Sequence, residues 1–327
     1  MSIYIYAETA FHHEGDKEYL MKLIDAAKES KMDGIKFQVL IELDEFMSSF
    51  HSAYHEAKRW LLTFEEWKEV FSYTEKLGLD IILMPLDIKA FNLIDDFAIK
   101  YLEIHSVSFK DTKLLKELDK NTIPIIFGIG GRTKKEIDDI IKKYRSRNIV
   151  LMSGFQSYPS NIEDIKLIRI KELFNQYPKC LIGYADHSAY NDEMAIISNE
   201  YAYLLGARIF EKHITIDEGI ERIDFQSAVD ITKLKKIKDR LIYLDKLLDI
   251  EKKSIFNMTT KEVIYRNRQK VPVAKNTIQC GSEISHEMIK LKMIDINECI
   301  NDIDSIIAKK AKKEILKDQV FYEKDLT

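Results

Sequence analysis

From Ile3 to Lys212 the chain alternates short apolar runs with longer segments in which apolar residues recur every three or four positions. The runs Ile3–Ala7, Gly34–Val39, Ile81–Pro85, Tyr101–His105, Ile123–Ile129, Asn148–Ser153, Cys180–Tyr184 and Ala207–Lys212 are of strand length, most of them bounded by polar residues, Gly or Pro. Such runs belong to parallel strands covered on both faces. Between them Lys17–Ser30, Phe64–Leu77, Lys89–Ile99, Thr133–Tyr144 and Asn191–Leu205 read as helices. Two carry their own start signal. Thr63 with Glu66, and Thr133 with Glu136, fit the capping box, in which side chains and free backbone amides satisfy each other across the first turn.

Eight strand–helix units in this length predict an α/β fold of the (β/α)₈ TIM-barrel class. An open doubly wound sheet is the alternative, but Ala7-Glu8-Thr9-Ala10 stands where a glycine-rich dinucleotide loop would follow the first strand. After Val229 the texture changes. Lys233 to Lys253 reads as a long charged helix or helix pair, and a polar stretch follows. The division predicted is a barrel over 1–250, a linker over 251–264 and a small cap domain over 265–327. A domain that small has a thin core and is expected to dock on the barrel or on a partner subunit.

The net charge of −4 gives no long-range attraction for nucleic acid or an anionic membrane. No apolar run approaches the roughly 20 residues that span a bilayer, and the N-terminus lacks the regions of a signal peptide. The three cysteines, Cys180, Cys280 and Cys299, are odd in number and irregularly spaced. They read as small buried hydrophobes in a reducing compartment rather than a disulfide framework or zinc cluster. A soluble, cytoplasmic protein is expected.

In a barrel of this class the chemistry gathers at the C-terminal ends of the strands. Those ends carry Glu8; Lys36 and Gln38; Glu103, His105 and Ser106; Gly128 to Gly131; Ser153 to Pro159; Asp186 and His187; and Glu211, Lys212 and His213. His187 and His213 end adjacent strands, so neutral imidazoles there can converge on one divalent cation, with Asp186 and Glu211 orienting rings or metal-bound water. A hydrogen-bonded structural pair is the other reading. Lys36 lies between Ile35 and Phe37 and points into the barrel, where a lysine needs a partner. Glu8 on the neighbouring strand can be that partner, in an active site or in a purely structural ion pair. His12-His13-Glu14-Gly15 reads as a solvated loop, despite its metal-like composition.

These residues resemble a known family, the N-acetylneuraminate (sialic acid) synthases. Ala7 to Asp16 is similar to that family's AEIGxNHxGD signature, and Leu23 to Lys28 with Gly34 to Gln38 resembles LIDAAKxxGADAVKFQ. Tyr158-Pro159 fits its YP loop, Gly183 to Ser188 its GLSDHT, and Glu211 to Thr215 its EKHFT. Ile223-Asp224-Phe225 stands at its aspartate segment, and Arg268 to Glu283 resembles the start of its antifreeze-protein-like (SAF) domain. The resemblance implies a transferase of carbohydrate biosynthesis, such as a surface-polysaccharide pathway, that condenses phosphoenolpyruvate with an N-acetylhexosamine-type aldose and releases phosphate. It implies Mn²⁺ or Mg²⁺ on His187 and His213, catalytic roles for Glu8 and Lys36, and substrate contacts by Gln38, Ser106, Gln156, Tyr158, Asp186 and Asp224. It also implies a domain-swapped homodimer and small-molecule substrates only.

The departures fall mostly on the donor-phosphate side and, in the cap, on the sugar side. Where the family carries KIxS the chain has Glu103-Ile104-His105-Ser106; STPF has become Leu83-Met84-Pro85-Leu86, and STG has become Gly128-Ile129-Gly130. The serine of GLSDHT is Ala185, and the cap's RPG is Lys292-Met293-Ile294-Asp295. Glutamate for lysine turns attraction for a dianion into repulsion unless another cation intervenes. Three readings follow: the family's synthase reaction, a metal-dependent aldol-type enzyme with another donor and Glu103 as a base, and a non-catalytic binding protein. Intact candidate metal ligands count against the third.

Overall fold

The computed structural model describes residues 3–154, 157–248, 257–295 and 298–327. The chain divides into two compact units, Met1–Glu251 and Lys252–Thr327. In the first, eight parallel strands close into a barrel: β1 (Tyr4–Glu8), β2 (Gly34–Val39), β3 (Asp80–Pro85), β4 (Ile99–Ile104), β5 (Ile125–Gly128), β6 (Ile149–Ser153), β7 (Leu181–Asp186) and β8 (Ile209–His213). Pairing of β1 with β8, from Tyr4↔Ile209 to Glu8↔His213, closes the ring. The TIM-barrel expectation holds.

Two layers of apolar residues build it. The outer layer packs strands against helices; under helix Phe64–Lys76, Phe37 of β2 meets Trp67 and Phe71 at ring-centroid distances of 6.0 and 5.3 Å. Burying each such ring stabilises the fold by about 1.5–3 kcal/mol. The inner layer fills the barrel with Tyr6, Ile82, Tyr101, Ile126, Val150, Met152, Ala185 and Ile209. This alternation of faces along each strand decides which residues reach the site. Both expected capping boxes form, at Thr63/Glu66 and Thr133/Glu136.

Several boundaries differ from expectation by one or two residues, the usual fraying of element ends. The expected helix Lys89–Ile99 is a 3₁₀ segment, Lys89–Asp95, followed directly by β4. Asp87 caps it by accepting from the Ala90 amide at 3.0 Å, and a crossover this short needs the tighter winding. Helices Thr112–Leu118 and Ile168–Gln176 complete crossovers that sequence periodicity left open. Lys233–Lys253 corresponds to a single helix, Ile231–Leu248; its last residues lie outside the described ones.

The second unit contains the antiparallel pair β9 (Val271–Ala274) and β10 (Ile289–Lys292), with Ile278, Ile284, Ile306, Ile315 and Phe321 in its core. A helix, Thr260–Arg266, with its own capping box at Thr259 and Glu262, occupies part of the stretch expected as linker; 251–256 of that linker lie outside the described residues. The cysteines are not the buried hydrophobes expected: Cys280 is exposed, and Cys180 and Cys299 are half-buried. Among the described residues, no helix is long and apolar enough to cross a membrane.

Gly34 opens β2 where no side chain fits. A Cβ there would stand 2.7 Å from the Asp80 carbonyl oxygen and from the Tyr4 hydroxyl. Gly34→Ala is expected to lower stability by about 1–3 kcal/mol, read from urea unfolding; an unchanged midpoint would mean that the strands move apart freely.

Candidate active site

Glu8 and Lys36 are direct neighbours across β1 and β2, and Glu8 is also opposite His213 on β8. The ladder thus sets a carboxylate between a lysine and a histidine. Lys36, only 2 % exposed, lies 2.7 Å from Glu8 Oε2, 2.7 Å from Glu211 Oε2 and 3.2 Å from Glu103 Oε1. Tyr6 donates to Glu211 at 2.7 Å and also lies 3.3 Å from Glu103. Glu8 Oε1 accepts from the Ala10 amide at 2.9 Å and from Gln38 at 3.0 Å.

One buried cation therefore serves three buried carboxylates, an excess of two negative charges if all ionise. The groups answer unequally. Burial pushes the Glu103 carboxyl up to about 7, with Lys36 opposing and the Glu211 charge assisting. For Glu211, burial works upward too, but the close Lys36 ammonium and the Tyr6 hydroxyl hold it below its ordinary value.

His187, Glu211 and His213 each bring a possible ligand atom within 4.8 Å of the others. Burial lowers His187 to about 4, and burial together with His187 keeps His213 well below its ordinary value, so both rings are neutral at pH 7. Neutral imidazoles are metal ligands, and His187 Nδ1 is buried without a hydrogen-bond partner. A divalent cation fits this donor set and cancels the surplus charge beside it. Tyr158 packs edge-on against both rings, at centroid distances of 5.1 and 5.5 Å. Asp224, in a left-handed backbone conformation, has its carboxyl pushed up to about 6 by burial.

Of the other expected residues, Ser106 is buried just past the end of β4, at the start of a 3₁₀ turn. Gln156 lies outside the described residues. Asp186 corrects the expectation that it meets substrate or orients the histidine rings. It is on the opposite face of β7 from Ala185, where it pairs with Lys212 at 2.5 Å and accepts from Ser188, Ser198 and Tyr184. His12 and His13 are a second correction, being buried rather than solvated. His12 bridges the Ile223 carbonyl at 2.7 Å and the Thr215 hydroxyl at 2.9 Å, tying the loop after β1 to the segment after β8. His13 packs its ring against Trp67 at 5.9 Å. Tyr6 was not anticipated; its signal is parity, two residues before Glu8 on the same strand face.

The pH response follows from Glu103. Its folded value of about 7 against an ordinary 4.5 means that the folded chain holds a proton that the unfolded chain releases. Stability from this group is full below pH 4.5 and is lost as pH rises through about 7. In metal-free buffer Glu103→Gln is expected to flatten the decline across that window, measured by urea unfolding at several pH values; parallel profiles would contradict the assignment.

Comparison with known proteins agrees with this architecture. Residues 23–253 match the model of the NeuB family. An uncharacterized protein of Methanocaldococcus jannaschii is 28 % identical over 99 % of this chain and 94 % of its own length. The pseudaminic acid synthase of Campylobacter jejuni is 26 % identical over 96 % of this chain and 93 % of its own. Among solved structures, the N-acetylneuraminic acid synthetase of Leptospira borgpetersenii, in complex with citrate, superposes with a TM-score of 0.72 at 25 % identity, covering 82 % of this chain and 92 % of that one. The chain accordingly belongs to the NeuB family of sugar-acid synthases, and is an enzyme of the transferase type that forms carbon–carbon bonds.

Proposed function

We propose that the chain joins a three-carbon acid donor to the aldehyde of an open-chain aldose, giving a nonulosonic or related acidic sugar like those named for its relatives. The observation that carries this reading is the convergence of His187, His213 and Glu211 with the Lys36–Glu8 pair in one buried cluster at the strand ends. A divalent cation, Mn²⁺ or Mg²⁺, held by the two histidines with Glu211 beside them, would supply the Lewis acid that polarises the aldehyde.

The chain's own groups supply the rest. Glu8, with Oε1 held by Ala10 and Gln38, keeps Oε2 on the Lys36 side as the proton-transfer atom. Lys36 holds the carboxylates in register and receives negative charge that develops on the donor. Asp224, poised near pH 6, and Tyr158 are the sugar-side contacts. Gln38, Ser106 and Gln156 complete the proposed binding set. By resemblance we extend the reading to an SAF-type C-terminal domain, a domain-swapped homodimer and a cytoplasmic location.

Two donors meet this description. Phosphoenolpyruvate is the one the resemblance implies, with phosphate release. An enolisable acid without phosphate is favoured by Glu103, whose carboxylate stands on the lysine that a phosphorylated donor would need. The test common to both supplies Mn²⁺, a panel of aldoses and either donor, and detects the acidic sugar by mass spectrometry. One aldose is expected to give product, and Glu8→Gln to abolish it; product from an unaltered Glu8→Gln variant overturns the assigned role. By calorimetry, His187→Ala and His213→Ala are each expected to weaken Mn²⁺ binding by about tenfold or more; undiminished affinity overturns the metal assignment.

A further inference from the structure

Resting on that reading of the site, we infer that its donor is an unphosphorylated 2-oxo acid. Along the inner wall, Lys36 is the one cationic side chain among the described residues, and it is already within 3.2 Å of Glu8, Glu103 and Glu211. A divalent cation on His187, Glu211 and His213 would offset charge on the β7–β8 side, but a phosphoryl dianion entering beside Lys36 must still displace a carboxylate or sit against one. The wall around Glu103 offers no replacement: Ile82, Met84, Ile126, Gly128, Met152 and Ala185 present apolar atoms or bare backbone. Of the cations past the ends of β4 and β5, Lys110 pairs with Glu136 on helix Lys134–Lys143 at 2.7 Å, while Arg132, 3.8 Å from the same carboxylate, lays its guanidinium over the Phe109 ring.

A 2-oxo acid makes a smaller demand. It brings one carboxylate, and its second negative charge appears only when a proton leaves C3, beside Lys36. The step balances without a co-reactant. Glu8 removes the C3 proton and the C–H pair becomes the enolate. C3 then bonds to the aldehyde carbon, whose carbonyl pair moves to oxygen, and that oxygen takes up a proton. No phosphate leaves, no water is consumed and nothing is oxidised or reduced. The product is the same 3-deoxy-2-ulosonic acid skeleton that an enol phosphate donor would give.

The experiment needs no acceptor. Pyruvate is incubated with the full chain and Mn²⁺ in D₂O, and loss of its methyl proton signal is followed by NMR. Binding of pyruvate and of phosphoenolpyruvate is measured by calorimetry with and without Mn²⁺. Enzyme-dependent exchange that is lost in Glu8→Gln is expected, with pyruvate bound more tightly than phosphoenolpyruvate. Glu103→Lys, and more gently Glu103→Gln, are expected to strengthen phosphoenolpyruvate binding, the former by about tenfold or more. Two variants are used because a second lysine in this cluster can impair folding. Tighter binding of phosphoenolpyruvate than pyruvate by the unaltered chain, or aldose-dependent phosphate release, overturns the inference and leaves the synthase reading standing. Absence of both exchange and pyruvate binding overturns it too. Exchange without product from any aldose overturns the synthase reading instead.

Discussion

A single lysine organises the barrel interior. Lys36 on β2 meets carboxylates from β1, β4 and β8, so one ammonium group ties together strands spread around half the ring. An exposed bridge contributes little, because water competes for both ions. Here all four groups are buried, and removing Lys36 would strand three carboxylates in a medium that solvates them poorly. Tyr6 sits beside two of the same carboxylates. The cluster is therefore fixed before any substrate arrives, and fixed charges near a reacting centre need no reorganisation when charge develops.

Around this centre the loops are held by buried polar contacts. His12 grips both the Ile223 carbonyl and the Thr215 hydroxyl, so the turn that follows Glu8 is tied to the segment that carries Asp224. Arg222 packs its guanidinium 3.8 Å from the Tyr19 ring centroid and adds to the same seam. Glu8 and Asp224, the proposed catalytic and sugar-side groups, thus share one hydrogen-bonded edge where the first and last strands meet.

Most of this was legible from sequence because a barrel converts strand order into geometry. Glu8, Lys36, His187 and His213 could be placed at strand ends from periodicity alone. What escaped depended on facts that linear spacing does not carry. Asp186 precedes His187 by one residue, and one residue on a strand reverses the face, so it points to Lys212 and the outer layer. The three-fold engagement of Lys36 was invisible because its partner Glu211 is 175 positions away. His12 and His13 were misjudged because a histidine pair in a polar loop gives no sign that the loop folds inward. The stretch Lys89–Ile99 has helical composition but too few residues to reach β4 in an ordinary helix.

The closure of β8 onto β1 bears on how the chain is made. Lys36 leaves the ribosome early, with Glu8 already behind it; Glu103 follows 67 residues later and Glu211 only with the last barrel strand. Until then the nascent sheet has two open edges, and edges of that kind recruit other chains. The last carboxylate and the last edge arrive on the same five residues, Ile209–His213. A translation product cut short before β8 is therefore an aggregation hazard rather than a weakened enzyme, since ring closure and completion of the charge cluster are one molecular event.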